Sequence, residues 1–323
     1  MTASRSTMRR WAVIAQSLLS LALLAWLVRS VDWRSLLEAM RQVSPVIVAV
    51  GVSIYYAGVL LSCIKWRAIL AFDALQPPLV RLLRWYLIGA FASNFLPTDI
   101  GGDLGRGLLA GRATGRPVAI ARSIIVERLS GLLFLLLLGW IGALTLLPGR
   151  TLLLALSGAA LLVVATAWIA ARRVPAVTAS LHALTLRLPP SVRQVGANSR
   201  VLLAKGLAQP GSLAGILGLS LAFQLLAGFG VWLNMSAVGL SLPLWPVILA
   251  SALASVASLL PVAVNGWGLR EGVLVALLSQ LGAPASTVLA GALLARALVL
   301  VCSLVGAALL PLEAQTAHHI PKI

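Results

Sequence analysis

Between Lys205 and Arg270 this chain carries no charged side chain at all. An apolar run of that length cannot be hidden inside a water-soluble domain, and it fixes the solvent as a lipid bilayer. Composition says the same of the whole chain: of 323 residues, 60% are apolar and 10% charged, where soluble domains carry about 25% charged residues. An ordinary soluble enzyme, a secreted disulfide scaffold and a disordered chain are excluded. The expected fold class is all-α, a polytopic membrane protein of about six to eight transmembrane helices. It reads as one integral-membrane domain over residues 1–323, with halves at 1–171 and 213–311 joined by a basic linker, 172–212.

Charge placement supports that reading. Lys and Arg number 25 against 8 Asp and Glu, a formal +17. Such a balance also marks nucleic-acid binders. Here the positive residues cluster between uncharged runs, the pattern of cytoplasmic loops, so no nucleic-acid partner is expected. A basic cytoplasmic face attracts anionic lipid head groups instead. Cys63 and Cys302 lie inside apolar runs and read as packed thiols. His182 sits in the basic linker and His318-His319 in the tail. No zinc, paired-cysteine or nucleotide-binding motif occurs, and neither cofactor nor metal is expected.

Spans follow from runs long enough to cross. Trp11–Val28, preceded by Arg5, Arg9 and Arg10, is the first, with a cytoplasmic N-terminus in the cell (plasma or inner) membrane. Trp33, Leu36, Leu37 and Met40 then share one face of a short surface helix capped by Asp32. Gln42–Ile64 is a second span, closed by Lys65-Trp66-Arg67. Pro117 opens a helix that carries Arg122, Glu127 and Arg128 into the span Leu129–Leu147, and Leu152–Ala171 crosses back. Leu213–Val238 and Val288–Leu310 are further spans, the last interrupted by Arg296.

Two segments do not fit this scheme. Trp85–Thr98 is apolar but about 21 Å long as a helix, against a core of about 30 Å. It ends at Pro97 and runs into Asp99, Gly101, Gly102, Asp103 and Arg106. Val247–Val264 contains Pro261 and runs into Asn265, Gly266, Gly268, Arg270 and Glu271, before the short apolar stretch Val273–Leu281. Each unit reads as short helix, proline, glycine pair, then an acid and an arginine opening a second short helix. Backbone freed by proline and glycine is tolerated at membrane depth only where protein or a wet cavity covers it. Gly/Pro-interrupted segments in corresponding halves point to a transporter binding site. Counting from a cytoplasmic N-terminus puts the first break on the cytoplasmic side. The second enters from outside if residues 244–281 form a hairpin, which makes an inverted repeat. If Leu244–Val264 crosses fully, Arg270 lies inside and the C-terminus outside.

The chemistry of such breaks is anion capture. The first amides of a helix lack internal partners and carry the positive end of its dipole. Arg106 or Arg270 beside them suits a phosphate or carboxylate. Arg128 and Arg296 lie near membrane depth, where a bare guanidinium needs a partner; Glu271 or Asp103 are the candidates for Arg296. The expected substrate-binding set is Asn94, Pro97, Asp99, Gly101, Gly102, Asp103, Arg106, Glu127, Arg128, Asn265, Gly266, Gly268, Arg270, Glu271 and Arg296. Asp99-x3-Asp103 has spacing for a divalent cation, with helix capping as the plainer role.

These motifs occur in a telling order: Asp32-Trp33, Lys65-Trp66-Arg67, Asn94-x2-Pro97-x3-Gly101-Gly102-Asp103-x2-Arg106, Glu127-Arg128-x2-Gly131, and Pro261…Gly266-x-Gly268-x2-Glu271. Together, over nearly the whole chain, they resemble the transmembrane domain of the lysylphosphatidylglycerol synthetase/flippase family. The resemblance implies a lipid-handling helical domain whose best-understood relatives move aminoacylated phosphatidylglycerol between leaflets; stand-alone members include some associated with hopanoid or glycan-lipid pathways. The sequence stops at Ile323 without an aminoacyl-transfer domain, so synthetase activity is not expected. The expected function is a lipid translocase, not an enzyme, gripping an anionic phospholipid or isoprenoid-type lipid. One alternative is a lipid-phosphate transferase with Asp99, Asp103 or Glu271 as base. Another is a non-catalytic subunit with a membrane-protein partner; a homo-oligomer is also compatible.

Overall fold

The computed structural model describes residues 43–95, 101–147, 209–259 and 268–317, and every regular element in them is a helix. Eight helices follow in order: α1 (Pro45–Ala71), α2 (Leu79–Phe95), α3 (Gly101–Thr114), α4 (Pro117–Leu146), α5 (Pro210–Ala237), α6 (Leu244–Ala257), α7 (Leu269–Ser279) and α8 (Ala285–Ala317). Four of these, α1, α4, α5 and α8, are long and apolar enough to cross a membrane. The expected spans Trp11–Val28 and Leu152–Ala171, the Asp32 surface helix, most of the basic linker and all three histidines lie outside the described residues.

Local sequence sets the helix starts. Ser44 caps α1, its Oγ accepting from the Val46 amide at 3.3 Å, and Pro45, Pro117 and Pro210 occupy the first turns of α1, α4 and α5. Proline is suited there because its missing N–H has no helical partner anyway. The short helices confirm the breaks. α3 and α6 have 14 residues each and α7 has 11, about 21 Å and about 16 Å of helix against a hydrocarbon core of about 30 Å. α6 ends at Ala257, so the arrangement in which Leu244–Val264 crosses as one helix is not adopted. Of the boundaries that differ from expectation, two have a cause in the packing. α1 runs past Ile64 to Ala71, because Lys65 and Trp66 are packed inside rather than marking an interface. α2 starts at Leu79, six residues before Trp85, since Leu82 and Trp85 both enter the core.

Each half has the same plan: long helix, two short helices, long helix. The packing repeats as well. Within the halves α1 packs on α2 and α4 as α5 packs on α6 and α8, and α3 lies between α2 and α4 as α7 lies between α6 and α8. Across the halves α4 packs on α6 just as α8 packs on α2, and α4 meets α5 as α8 meets α1. The remaining contact, α1 with α5, is its own counterpart, and it is antiparallel: Gly58 faces Phe223 while Ile54 faces Gly230. Equivalent helices running in opposite directions define an inverted repeat. The swapped contacts bring backbones close. A Cβ at Gly142 would sit 2.8 Å from the Leu249 carbonyl oxygen, and one at Gly306 would collide with the Leu87 carbonyl. Small residues at such crossings let helices associate by close packing where lipid offers no hydrophobic drive.

Candidate functional site

The first break places a network of ionised groups inside the protein. Arg106, on α3, is 3% exposed, and its Nη1 donates to Glu127 Oε2 on α4 at 2.8 Å. Its Nη2 and Nε donate to Asp103 Oδ1 at 2.8 and 3.0 Å. The guanidinium lies between two rings, 4.8 Å from Trp66 and 4.7 Å from Tyr86. Tyr86 in turn donates to Glu127 Oε1 at 3.2 Å, while the buried Lys65 ammonium approaches the Glu127 carbonyl oxygen at 3.5 Å. Trp66 is fixed by donating to Ser123 at 2.9 Å. Three of the five guanidinium N–H groups thus bond two carboxylates while two aromatic rings flank its plane, and a buried charge is tolerated when matched in this way. Arg128 donates to Asp103 Oδ2 at 2.6 Å from a largely exposed position.

The second break repeats one element of that network. Glu271, in the first turn of α7, accepts from Arg296 on α8 at 2.9 Å. Asp103 and Arg128 are 25 residues apart, as are Glu271 and Arg296. Both pairs therefore join an acid in the opening turn of a short helix to an arginine in the following long one. Of the two partners expected for Arg296, the structure selects Glu271 because α7 and α8 pack directly. Glu271 also accepts from the Gly268 amide at 2.9 Å, with Gly268 at φ 78°, a conformation glycine adopts without strain. The protein's own carboxylate therefore occupies that amide, which is not bare as expected.

Among the described residues, the second break has no second acid. Arg270 is half-buried, and its Nε is shielded from solvent without a hydrogen-bond partner. It lines a cavity of about 370 Å³ bounded by α1, α2, α5 and α8 as well as α7. Asn94, Arg270 and Arg296 of the expected set share this cavity with Tyr55, Tyr86 and Asn234. The Tyr55 hydroxyl is also buried without a partner. Tyr86 links the breaks, lining the cavity and hydrogen-bonding Glu127 of the first network.

The expected residues therefore gather in two groups, Asp103, Arg106, Glu127 and Arg128 in one, and Arg270, Glu271 and Arg296 in the other. Gly101 and Gly102 are buried at the start of α3, where Gly102 lies directly against Gly89 and Ser93 of α2. Pro97, Asp99, Asn265 and Gly266 lie outside the described residues. Tyr55, Tyr86, Trp66 and Asn234 were not in the expected set; their isolated polar or aromatic character inside apolar spans was the available signal. Among the described residues, no three His, Cys, Asp or Glu side chains come together as a metal site would need.

Two inverted halves with short, interrupted helices and charged groups inside them define a helical membrane protein with an internal repeat. The family described as "Lysylphosphatidylglycerol synthase TM region" matches residues 13–306, most of the chain, and the protein belongs to that family. No curated protein matches it. Family and fold together make this a membrane protein of lipid-related pathways.

Proposed function

We propose that the protein is a lipid translocase, taking the phosphate-bearing head group of an anionic lipid into the seam between its halves while the acyl chains stay in the bilayer. The observation that carries this is Arg270, a half-buried arginine whose shielded Nε has no partner, at the wall of a cavity of about 370 Å³. A charge in that position is costly until an anion joins it. The broken pairs α2/α3 and α6/α7 act as re-entrant hairpins from opposite faces, so the inverted halves offer the cavity to each leaflet in turn.

The reading is of a transporter rather than an enzyme. Asp103 accepts from two arginines, Glu127 from Arg106 and Tyr86, and Glu271 from Arg296 and an amide. Carboxylates so engaged are poor general bases. Reconstitution into liposomes with head-group-labelled lipids tests the proposal. Faster loss of inner-leaflet protection than in empty vesicles, for at least one anionic lipid, is the expected result. No acceleration for any anionic or neutral lipid defeats it.

A further inference from the structure

The charge of the central cavity can be counted. Among the described residues its wall holds two arginines and no carboxylate. Arg296 is matched by Glu271 directly behind the wall, at 2.9 Å. Glu271 is also engaged by the Gly268 amide, so both its oxygens are occupied by other groups, and Arg270 has no carboxylate of its own among the described residues. The group Arg270, Glu271 and Arg296 sums to one positive charge. The other polar wall groups are neutral. Asn234 donates from Nδ2 to the Gly230 carbonyl at 2.7 Å, which leaves its side-chain oxygen to accept. Tyr55 carries a buried hydroxyl without a partner, and Asn94 lies at the cavity-facing end of α2. Hydroxyl groups, which both donate and accept, complement amide and phenol groups of this kind. The volume is near the lower end for small-molecule pockets, enough for a head group without its acyl chains.

A single shielded positive charge is best answered by a single negative one. A cationic head group would set like charges together, and a diphosphate would bring more negative charge than the wall can neutralise. We infer that the cavity selects a lipid whose head group is a phosphodiester with one negative charge, extended by uncharged hydroxyl groups. It selects against cationic aminoacylated head groups, which the family resemblance implies, and against diphosphate lipids. This rests on the reading of the cavity as a lipid head-group site.

Equilibrium binding by the full chain in detergent micelles, read by native mass spectrometry, tests it. The probes are dioctanoyl phosphatidylglycerol, its lysyl ester and geranylgeranyl diphosphate. The phosphatidylglycerol should bind at least about tenfold more tightly than either of the others, the worth of one charge-assisted hydrogen bond. Arg270→Gln should erase the differences. Asn94→Asp, which adds a carboxylate to the wall without removing any hydrogen bond seen in the structure, should weaken phosphatidylglycerol and strengthen the lysyl ester. Equal affinities, tighter binding of the lysyl ester or the diphosphate, or an unchanged order in Asn94→Asp would overturn the assignment. Binding needs no movement between leaflets. A protein that shows this order but moves no lipid refutes the translocase reading alone, whereas one that moves lipids without this order refutes the selectivity alone.

Discussion

The two breaks carry the same acid–arginine pair at the same spacing, yet they surround it differently. Around Arg106 there are two carboxylates and two aromatic faces, with Lys65 close by, and the charge is matched. Around Arg270 there is a cavity, and the acid beside it in sequence is already committed to Arg296. A related contrast appears in the backbone. Gly102 in α3 is pressed against α2, whereas Gly272 in α7 has open space where a Cβ would go. The lesson is that an inverted repeat can preserve a motif while dividing its surroundings, one copy packed into a buried network and the other facing a cavity.

If that division is right, the two regions respond to mutation in opposite ways. The largest loss of stability is expected for Glu127→Ala, which strips one carboxylate from a buried guanidinium. Breaking a buried pair from one side costs about 3–5 kcal/mol, measurable as a large fall in the thermal unfolding midpoint in detergent. Arg106→Lys keeps the charge but loses the fork and both ring contacts, for a fall of about 2 kcal/mol. Gly102→Ala overpacks the α2/α3 contact and should cost about 1–3 kcal/mol, while Gly272→Ala should be neutral or slightly stabilising, as replacing an uncrowded helical glycine usually is. Equal effects at the two glycines would dissolve the contrast. The smallest effect belongs to Arg128→Ala: its side chain is 61% exposed, so its pair with Asp103 should be worth less than about 1 kcal/mol.

Much of this architecture is legible in the sequence because the bilayer imposes a length rule. The four long runs that fall in the described residues found their helices, and the prolines and glycines located both interruptions, since a helix of 14 residues cannot disguise itself as a crossing. The pairing of Arg296 with Glu271 was readable as a requirement for neutrality. The partners of Arg106 were less so. Glu127 stands 21 residues away, and the flanking rings come from α1 and α2, so only tertiary packing brings them together. Lys65-Trp66 was misread for a related reason: a basic residue next to tryptophan is the usual mark of an interface, and only contact with α4 reveals that both are interior. The cavity itself could not be foreseen, because it is the space left between two halves rather than a property of either.

The central claim is that Arg270 is held uncompensated for a head group and contributes nothing the fold requires. Its most direct test is the initial rate at which Arg270→Gln proteoliposomes move head-group-labelled phosphatidylglycerol, normalised to folded protein. The account predicts a rate indistinguishable from empty vesicles, in a protein that unfolds at or above the wild-type temperature because a shielded, unmatched charge has been removed. A wild-type rate from that variant would contradict it.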